Sequence, residues 1–233
     1  MVSGSSSARP CARSWHRSLS SIWRPSIPST CPGRRWTRYI SRCKVGREGT
    51  ELLINSLARL WEEDRLEAIP LLSVAEHWLR RNMPVLDHVS MVHGDYRSGN
   101  FLFDEERGEI TAILDWELGY LGDRHADLAW VLFEPFGSRS ENGEQLCCGL
   151  LERDAFITAY QQASGLSVDP FRLKYFTVLN LWKAILFSVG SGPRAANGGK
   201  THQDIVLTSL AGIAYPLLES MRRILAEEYS HGA

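Results

Sequence analysis

Three polar residues stand at spacings that suit the transfer of a phosphoryl group. Residues 93–100 read HGDYRSGN, which contains Asp95 and, five positions later, Asn100, and Asp115 follows within ILDWE. Phosphoryl transfer needs an acceptor that orients the attacking hydroxyl and oxygen ligands that hold Mg²⁺ on the phosphates. An Asp, an Asn five residues on and a second Asp after a hairpin supply these groups. Asp95, Asn100 and Asp115 match that order.

The elements around these residues must place them at strand ends. Apolar runs bounded by polar and glycine residues predict three short strands, which are Val89 to Val92, Phe101 to Phe103 and Ile110 to Leu114. The polar stretch from Asp104 to Gly108 predicts a hairpin turn between the last two strands. The hairpin then links the HGD segment to the LDW segment.

The register of this hairpin has two open alternatives. If the turn centres between Arg107 and Gly108, Asn100 lies directly opposite Asp115. If it centres one residue earlier, Asn100 pairs with Ile113 and Asp115 becomes a diagonal neighbour. Either register would let Asn100 and Asp115 reach one Mg²⁺, an ion that prefers a few hard oxygen ligands from the protein. Arg97, two residues after Asp95, is a candidate to stabilise charge on the transferred phosphate.

The rest of the chain divides into an unusual N-terminal segment and a helical body. Residues 1–45 hold nine basic and no acidic residues, so the overall charge of -1 leaves about -10 for residues 46–233. The first segment lacks helical or strand periodicity, and we expect it to be irregular or disordered. A transit peptide and a shifted reading frame are alternative origins for it. No apolar run is long enough to span a bilayer.

Apolar residues at helical spacing predict six helices in the body. Two precede the motifs, with apolar faces formed by Leu53, Leu57, Leu60 and Trp61 and by Leu72, Ala75, Trp78 and Leu79. Four follow them, over Ala126 to Phe133, Arg153 to Ala163, Pro170 to Val189 and Asp204 to Ala226.

The two motifs together resemble the aminoglycoside phosphotransferase family, whose fold is similar to that of protein kinases. The resemblance rests on HGDYRSGN followed by ILDWELGYLGDRHADLAW and covers roughly residues 50 to 228. It implies that Asp95 is the catalytic base, that Asn100 and Asp115 bind magnesium and that ATP is the phosphoryl donor. Asp127 matches a position that supports the catalytic loop, unless it simply caps a helix. His93 is expected to be a hydrogen-bonded core residue that holds the same loop.

One part of the family pattern is not found. A Gly-rich loop and an ATP-binding Lys precede the catalytic half in the family, yet Lys44 is the one Lys before the HGD motif. The nucleotide lobe is therefore expected to be missing, which puts the activity of this chain alone in doubt. A second hypothesis follows, in which the chain is a non-catalytic kinase remnant that acts as a binding module.

Two other patterns allow either a functional or a structural interpretation. His93-x-Asp95 and His125-x-Asp127 could form a metal-dependent hydrolase site, but that hypothesis leaves Asn100 and Asp115 without a role. Residues 194–201, RAANGGKT, nearly match a phosphate-binding loop but lack its first Gly and a preceding strand.

Four further side chains have two possible roles each. Trp182 and Lys183 could line an acceptor pocket, or pack in the core and face solvent respectively. Glu117 and Asp123 could approach the site or serve at the surface or as caps. Cys147 and Cys148 are expected to be ordinary thiols.

The sequence thus predicts an α+β fold, mainly helical, like the C-terminal lobe of a kinase with a small β-hairpin carrying the metal ligands. We expect irregular residues 1–45 followed by one partial catalytic domain, 46–233. The expected function is Mg²⁺- and ATP-dependent phosphorylation of a small-molecule hydroxyl in the cytoplasm, without nucleic-acid or membrane partners. The acceptor could be an aminoglycoside, a hydroxylated acyl-CoA or another metabolite.

Overall fold

A computed structural model describes residues 47–86, 88–104, 106, 109–134, 137–191 and 203–230. The expectations for residues 1–45, for Lys44 and for residues 194–201 lie outside these ranges. The described residues form two compact units, one of residues 86–173 and one of residues 47–85 together with 174–230. The fold is α+β, as the sequence predicts.

The second unit is helical. It contains α1 (Glu48–Asp64) and α2 (Pro70–Arg81), most of α5 (Pro170–Leu186), a π-helical turn (Phe187–Ser191) and α6 (Gln203–Ser230). Helix α2 begins with Pro70, whose fixed φ and missing N–H suit the first turn of a helix. None of the described helices is both long and apolar enough to cross a membrane.

Apolar faces at helical spacing form the core of this unit. The predicted face of α2 is confirmed, because Leu72, Ala75, Trp78 and Leu79 are all buried. On α1 the buried face is shifted, and Ile54 is buried with Leu57 and Trp61 while Leu53 and Leu60 are only partly covered.

Tyr175 of α5 contacts α2 within this unit. The ring of Tyr175 stacks on Trp78 with centroids 5.9 Å apart, and its hydroxyl donates a hydrogen bond to the carbonyl of Leu79 at 3.1 Å.

The first unit holds the motifs on short antiparallel strands. Its elements are β1 (Ser90–Val92), β2 (Phe101–Asp104), β3 (Glu109–Ile113), β4 (Tyr120–Gly122), α3 (His125–Val131), β5 (Ser138–Arg139), β6 (Gln145–Cys147), β7 (Leu151–Glu152) and α4 (Arg153–Ser164). Strand β1 pairs with β4, β2 with β3, and β5, β6 and β7 form a third sheet in that order. The three predicted strands and the four later helices are present with ends shifted by a few residues. Strands β4 to β7 were not predicted, because two or three residues are too few for an alternating pattern.

The register of the β2–β3 hairpin corrects both predicted alternatives. Asp104 pairs with Glu109 near the turn, but the register shifts between Leu102 and Phe103, so Leu102 pairs with Ala112. The shift leaves one extra residue on β3, Thr111, whose hydroxyl donates to the carbonyl of Leu102 at 3.2 Å. Such a bulge inserts a residue into one strand and moves all later pairs by one.

The consequence appears at the far end of the hairpin. The N–H of Leu114 donates to the carbonyl of Asn100 at 2.8 Å. Asn100 is thus matched with Leu114, and neither with Asp115 nor with Ile113. Asn100 and Asp115 still lie at the same end of the hairpin, one directly before β2 and the other two residues after β3.

Candidate active site

The loop after β1 is anchored by one buried carboxylate. Asp127 on α3 accepts hydrogen bonds from the backbone N–H of His93 at 2.7 Å and of Gly94 at 2.9 Å, one on each oxygen. Asp127 is buried, so these two bonds replace the water that its charge and the two donors would otherwise require. The carboxylate therefore fixes the backbone from which Asp95 projects.

Gly94 lets this loop pass close to the segment after β3. Its φ is +84°, and a Cβ at this position would stand 2.7 Å from the carbonyl oxygen of Leu118. A side chain would be strained by its own backbone and would collide with a neighbouring one. The two halves of the motif are thus in backbone contact at Gly94.

Three side chains donate hydrogen bonds to the carboxylate of Asp95. Arg97 Nε lies 3.1 Å from both oxygens, Asn100 Nδ2 lies 2.9 Å from Oδ2, and Trp130 Nε1 lies 2.7 Å from Oδ1. Asn100 Nδ2 also donates to the main-chain carbonyl of Asp95 at 2.8 Å. The carboxylate is therefore held by an arginine, an amide and an indole.

Trp130 was not among the residues predicted from the sequence. Its position three residues after Asp127 was a usable signal, because residues three apart lie on the same face of a helix. A helix that presents Asp127 to the HGD loop must present Trp130 to the same region. An aromatic side chain on a helix is more often a core residue than a site residue, and Trp130 is buried.

His93 links the HGD loop to the end of β3. Its Nδ1 accepts a hydrogen bond from the N–H of Asp95 at 3.1 Å, and its Nε2 lies 2.8 Å from the carbonyl of Leu114. Because Nδ1 accepts, Nε2 carries the proton and donates it to Leu114. The imidazole ring also packs on the ring of Trp116, with centroids 4.7 Å apart.

Asn100 and Asp115 offer oxygen atoms at the end of the hairpin. Both hydrogen bonds of the Asn100 side chain given above use Nδ2, so Oδ1 is the atom suited to a cation. Asp115 is exposed and has left-handed backbone angles, with φ 66° and ψ 55°. This conformation is uncommon for a residue other than glycine and often marks functional positions. Within the described ranges, no three His, Cys, Asp or Glu side chains cluster as a metal site.

A second buried cluster lies around His125. Asp123 Oδ1 accepts from the N–H of His125 at 2.9 Å and from its Nδ1 at 2.6 Å, and Oδ2 accepts from Arg172 at 2.7 Å. His125 Nε2 in turn accepts the N–H of Asp169 at 3.0 Å. Burial alone would raise the pKa of Asp123, but the hydrogen bonds that its carboxylate accepts from His125 and Arg172 outweigh burial and hold that pKa below its ordinary value.

These contacts remove the basis for a hydrolase site built on His93 and His125. All four imidazole nitrogens are engaged with protein groups, so a metal ion would have to break a hydrogen bond to bind any of them. Asp127 is likewise committed to the loop backbone. Asp123 belongs to this cluster and makes none of the hydrogen bonds to Asp95 described above, and Glu117 is exposed.

The remaining candidates are buried. In the second unit, Trp182 is buried as expected of a core residue, and Lys183 is only 8% exposed, which corrects the interpretation of Lys183 as a solvated residue. Cys147 and Cys148 are buried free thiols in the first unit. Cys148 has a positive φ of 50°, and burial raises the pKa of its thiol to about 11.

Comparison with known proteins assigns the chain to a family. The model of the phosphotransferase enzyme family matches residues 16–176, a range that includes Asp95, Arg97, Asn100, Asp115, Asp127 and Trp130. The chain belongs to the phosphotransferase enzyme family. The match begins and ends earlier than residues 50 to 228, over which the motifs suggested the resemblance.

Two solved structures share the fold. A candidate aminoglycoside phosphotransferase from Ralstonia eutropha superposes with a TM-score of 0.73 over 97% of this chain and 68% of its own, at 18% identity. An aminoglycoside-3'-phosphotransferase of type VIII gives a TM-score of 0.52 over 75% of this chain and 61% of its own, at 21% identity.

A curated relative carries a different name. Acyl-CoA dehydrogenase family member 11 from Rattus norvegicus is 24% identical over 222 residues, which cover 84% of this chain. The chain spans only 28% of that protein's length.

Proposed function

We propose that this phosphotransferase-family chain transfers the γ-phosphoryl group of ATP to a hydroxyl group of a small molecule. The observation that supports this most directly is the carboxylate of Asp95, held by Arg97, Asn100 and Trp130 beside the end of the β2–β3 hairpin. In the proposed reaction the acceptor oxygen bonds to phosphorus while the bond to ADP breaks. The hydroxyl proton passes to Asp95.

The proposed role of Arg97 follows from its place beside Asp95. Its side chain is 38% exposed, so it can reach outward from the loop, and a guanidinium is suited to phosphate oxygens. We assign it to the negative charge of the transferred group. His93 and Asp127 are assigned to support, because their contacts go to the backbone of the loop and of the hairpin.

The donor set at the hairpin end fits a Mg²⁺ ion. Asn100 Oδ1 and the exposed carboxylate of Asp115 are hard oxygen ligands, and Mg²⁺ takes few of these from a protein and completes its shell with water and phosphate. When bound with ATP, the ion would neutralise charge on the phosphates. Asn100 would at the same time keep its amide nitrogen on Asp95, which couples the metal ligand to the base.

The names of the similar proteins support two acceptor classes. The similar structures bear the name of aminoglycoside phosphotransferases, and the curated relative bears the name of an acyl-CoA dehydrogenase family member. We therefore propose that the acceptor is a hydroxylated acyl-CoA or an aminoglycoside. These two classes differ in charge, since the first is anionic and the second is cationic at neutral pH.

The experiment is an assay of ADP release and of phosphorylated product with the full chain, Mg²⁺ and ATP. A panel of hydroxyacyl-CoA thioesters and of aminoglycosides serves as acceptors. Asp95→Asn should abolish transfer, while Asp154→Asn, which changes an exposed carboxylate in the first turn of α4, should retain it. Calorimetric binding of Mg²⁺ and ATP without transfer to any acceptor would favour the non-catalytic binding module instead.

A further inference from the structure

Trp130 makes the shortest of the hydrogen bonds that the structure gives to the carboxylate of Asp95. Its indole Nε1–H donates to Oδ1 at 2.7 Å, compared with 2.9 Å from Asn100 and 3.1 Å from Arg97. A hydrogen bond to a charged acceptor is about twice as strong as one between neutral groups. The proposed function assigns Asp95 to the chemistry but does not say what the hydrogen bond from Trp130 contributes to it.

The indole is held in place by its surroundings. Trp130 lies on α3, all of whose residues are buried, and its ring stacks on Phe133 with centroids 5.4 Å apart and planes 5° from parallel. Trp130 itself is only 6% exposed. Since the side chain has just two torsions and both faces of the helix are covered, its N–H has a fixed direction.

The same helix holds the backbone of the loop. Asp127 binds the N–H groups of His93 and Gly94, and Trp130, three residues later on the same face, binds the side chain of Asp95. One short helix, α3, therefore holds both the loop backbone that leads to Asp95 and the side chain of Asp95. A rotation of Asp95 about its side-chain torsions would break the contact with Trp130 without disturbing the contacts with Asp127.

The other two donors have competing tasks under the proposed function. Arg97 is assigned to the transferred phosphoryl group and Asn100 to the cation, so the position of each depends on what is bound. The indole N–H is a donor only, carries no charge and does not titrate in the working pH range. Trp130 is therefore the donor whose contact with Asp95 does not depend on ligands.

We propose that Trp130 is a positioning residue that sets the orientation of the Asp95 carboxylate for proton abstraction. This inference rests on the proposed role of Asp95 as the base. It adds Trp130 of α3 to the loop residues Arg97 and Asn100 as a group that orients Asp95.

A spectroscopic test does not depend on catalysis. In the ¹⁵N-labelled full chain, with indole resonances assigned by triple-resonance spectra, the Nε1–H proton of Trp130 should resonate downfield of the other indoles and exchange slowly with solvent. Asp95→Asn should move this resonance, and Asp154→Asn should leave it in place. A Trp130 resonance that is unaffected by Asp95→Asn would overturn the proposal.

A kinetic test separates positioning from a purely structural role. Trp130→Phe keeps an aromatic ring but removes the N–H, and it should lower kcat by about tenfold or more with KM for ATP changed less than about twofold. Trp78→Phe, a matched loss of a buried indole in α2, should leave kcat near the parent value. Equal effects of both substitutions on kcat would overturn the proposal. If the parent chain transfers phosphate to no acceptor, the proposed function fails, and the resonance test still decides whether Trp130 holds Asp95.

Discussion

The Nε2 atom of His93 lies 2.8 Å from the carbonyl oxygen of Leu114, the residue directly before Asp115. The other nitrogen of the same ring accepts the N–H of Asp95. A single buried imidazole therefore spans the two motifs, and it sets the distance between the proposed base and the segment that carries the second proposed Mg²⁺ ligand.

His93→Ala should destabilise the fold and slow transfer together. The substitution leaves the N–H of Asp95 and the carbonyl of Leu114 without their partner, at about 1 to 3 kcal/mol for each group that stays buried. We expect a loss of about 2 to 4 kcal/mol in the free energy of unfolding, measured with urea. His77→Ala, at an exposed position of α2, is the control and should change stability by less than about 0.5 kcal/mol. A His93→Ala protein as stable as the control would contradict this role.

Asp127→Asn should weaken the anchoring of the loop. An amide can accept from only one of the two N–H groups of His93 and Gly94, because its nitrogen is a donor. The expected cost is about 1 to 3 kcal/mol of unfolding free energy. Hydrogen exchange at Gly94 should accelerate relative to the parent, whereas Asp154→Asn should leave it unchanged. Unaltered exchange at Gly94 would mean that Asp127 does not hold the loop.

Much of the scaffold was predictable because its helices are long. The faces of α2 and of the later helices repeat apolar residues over several turns, and that repetition survives errors of one residue at either end. The motif residues Asp95, Asn100 and Asp115 were selected for another reason, since their order and spacing match the chemistry they are proposed to perform. Strand β4, which pairs with β1, is three residues long and leaves no such pattern.

Asp115→Asn should lower activity without changing stability. Asn tolerates the left-handed conformation of Asp115 about as well as Asp does, so the unfolding free energy should stay within about 0.5 kcal/mol. Loss of the carboxylate should lower Mg²⁺-dependent transfer by at least about tenfold. Asp115→Ala should cost about 1 kcal/mol more in stability than Asp115→Asn, because Ala is disfavoured at positive φ. Transfer at the parent rate by Asp115→Asn would exclude Asp115 from the metal site.

The Asp123 cluster should make the fold acid-sensitive. The pKa of Asp123 is lowered in the folded chain, so the folded state keeps this carboxylate charged at pH values where the unfolded chain already binds a proton. Its contribution to stability is complete above about pH 4 and is lost as the pH falls through the lower folded pKa. Urea unfolding of the parent from pH 7 to pH 3 should show this loss.

The variant Asp123→Asn should have a shallower decline of unfolding free energy on the acid side, together with lower stability at pH 7. Asp154→Asn is the matched control and should retain the parent's slope. If the three proteins lose stability in parallel below pH 4, the acid sensitivity arises elsewhere in the chain.

The hairpin register and Trp130 mark where prediction from the sequence stopped. The bulge at Thr111 is accompanied by a side-chain hydrogen bond to Leu102, and no turn rule applied to residues 104–108 could anticipate it. The hydrogen bond from Trp130 to Asp95 was not predicted, because a tryptophan on a helix is expected to pack in the core, and here the indole does both. In both cases the missing information was a polar contact made by a residue whose type suggested another role.

Cys148 is buried beside the loop that carries the HGD motif, with its Sγ 3.9 Å from the carbonyl of Val131 and near the backbone of Ser98. Since burial raises the pKa of this thiol to about 11, the thiol keeps its proton at neutral pH. A buried, protonated thiol should react slowly with alkylating reagents. In a variant whose other four cysteines are replaced, the alkylation rate of Cys148 would measure how often local opening of the protein exposes this thiol.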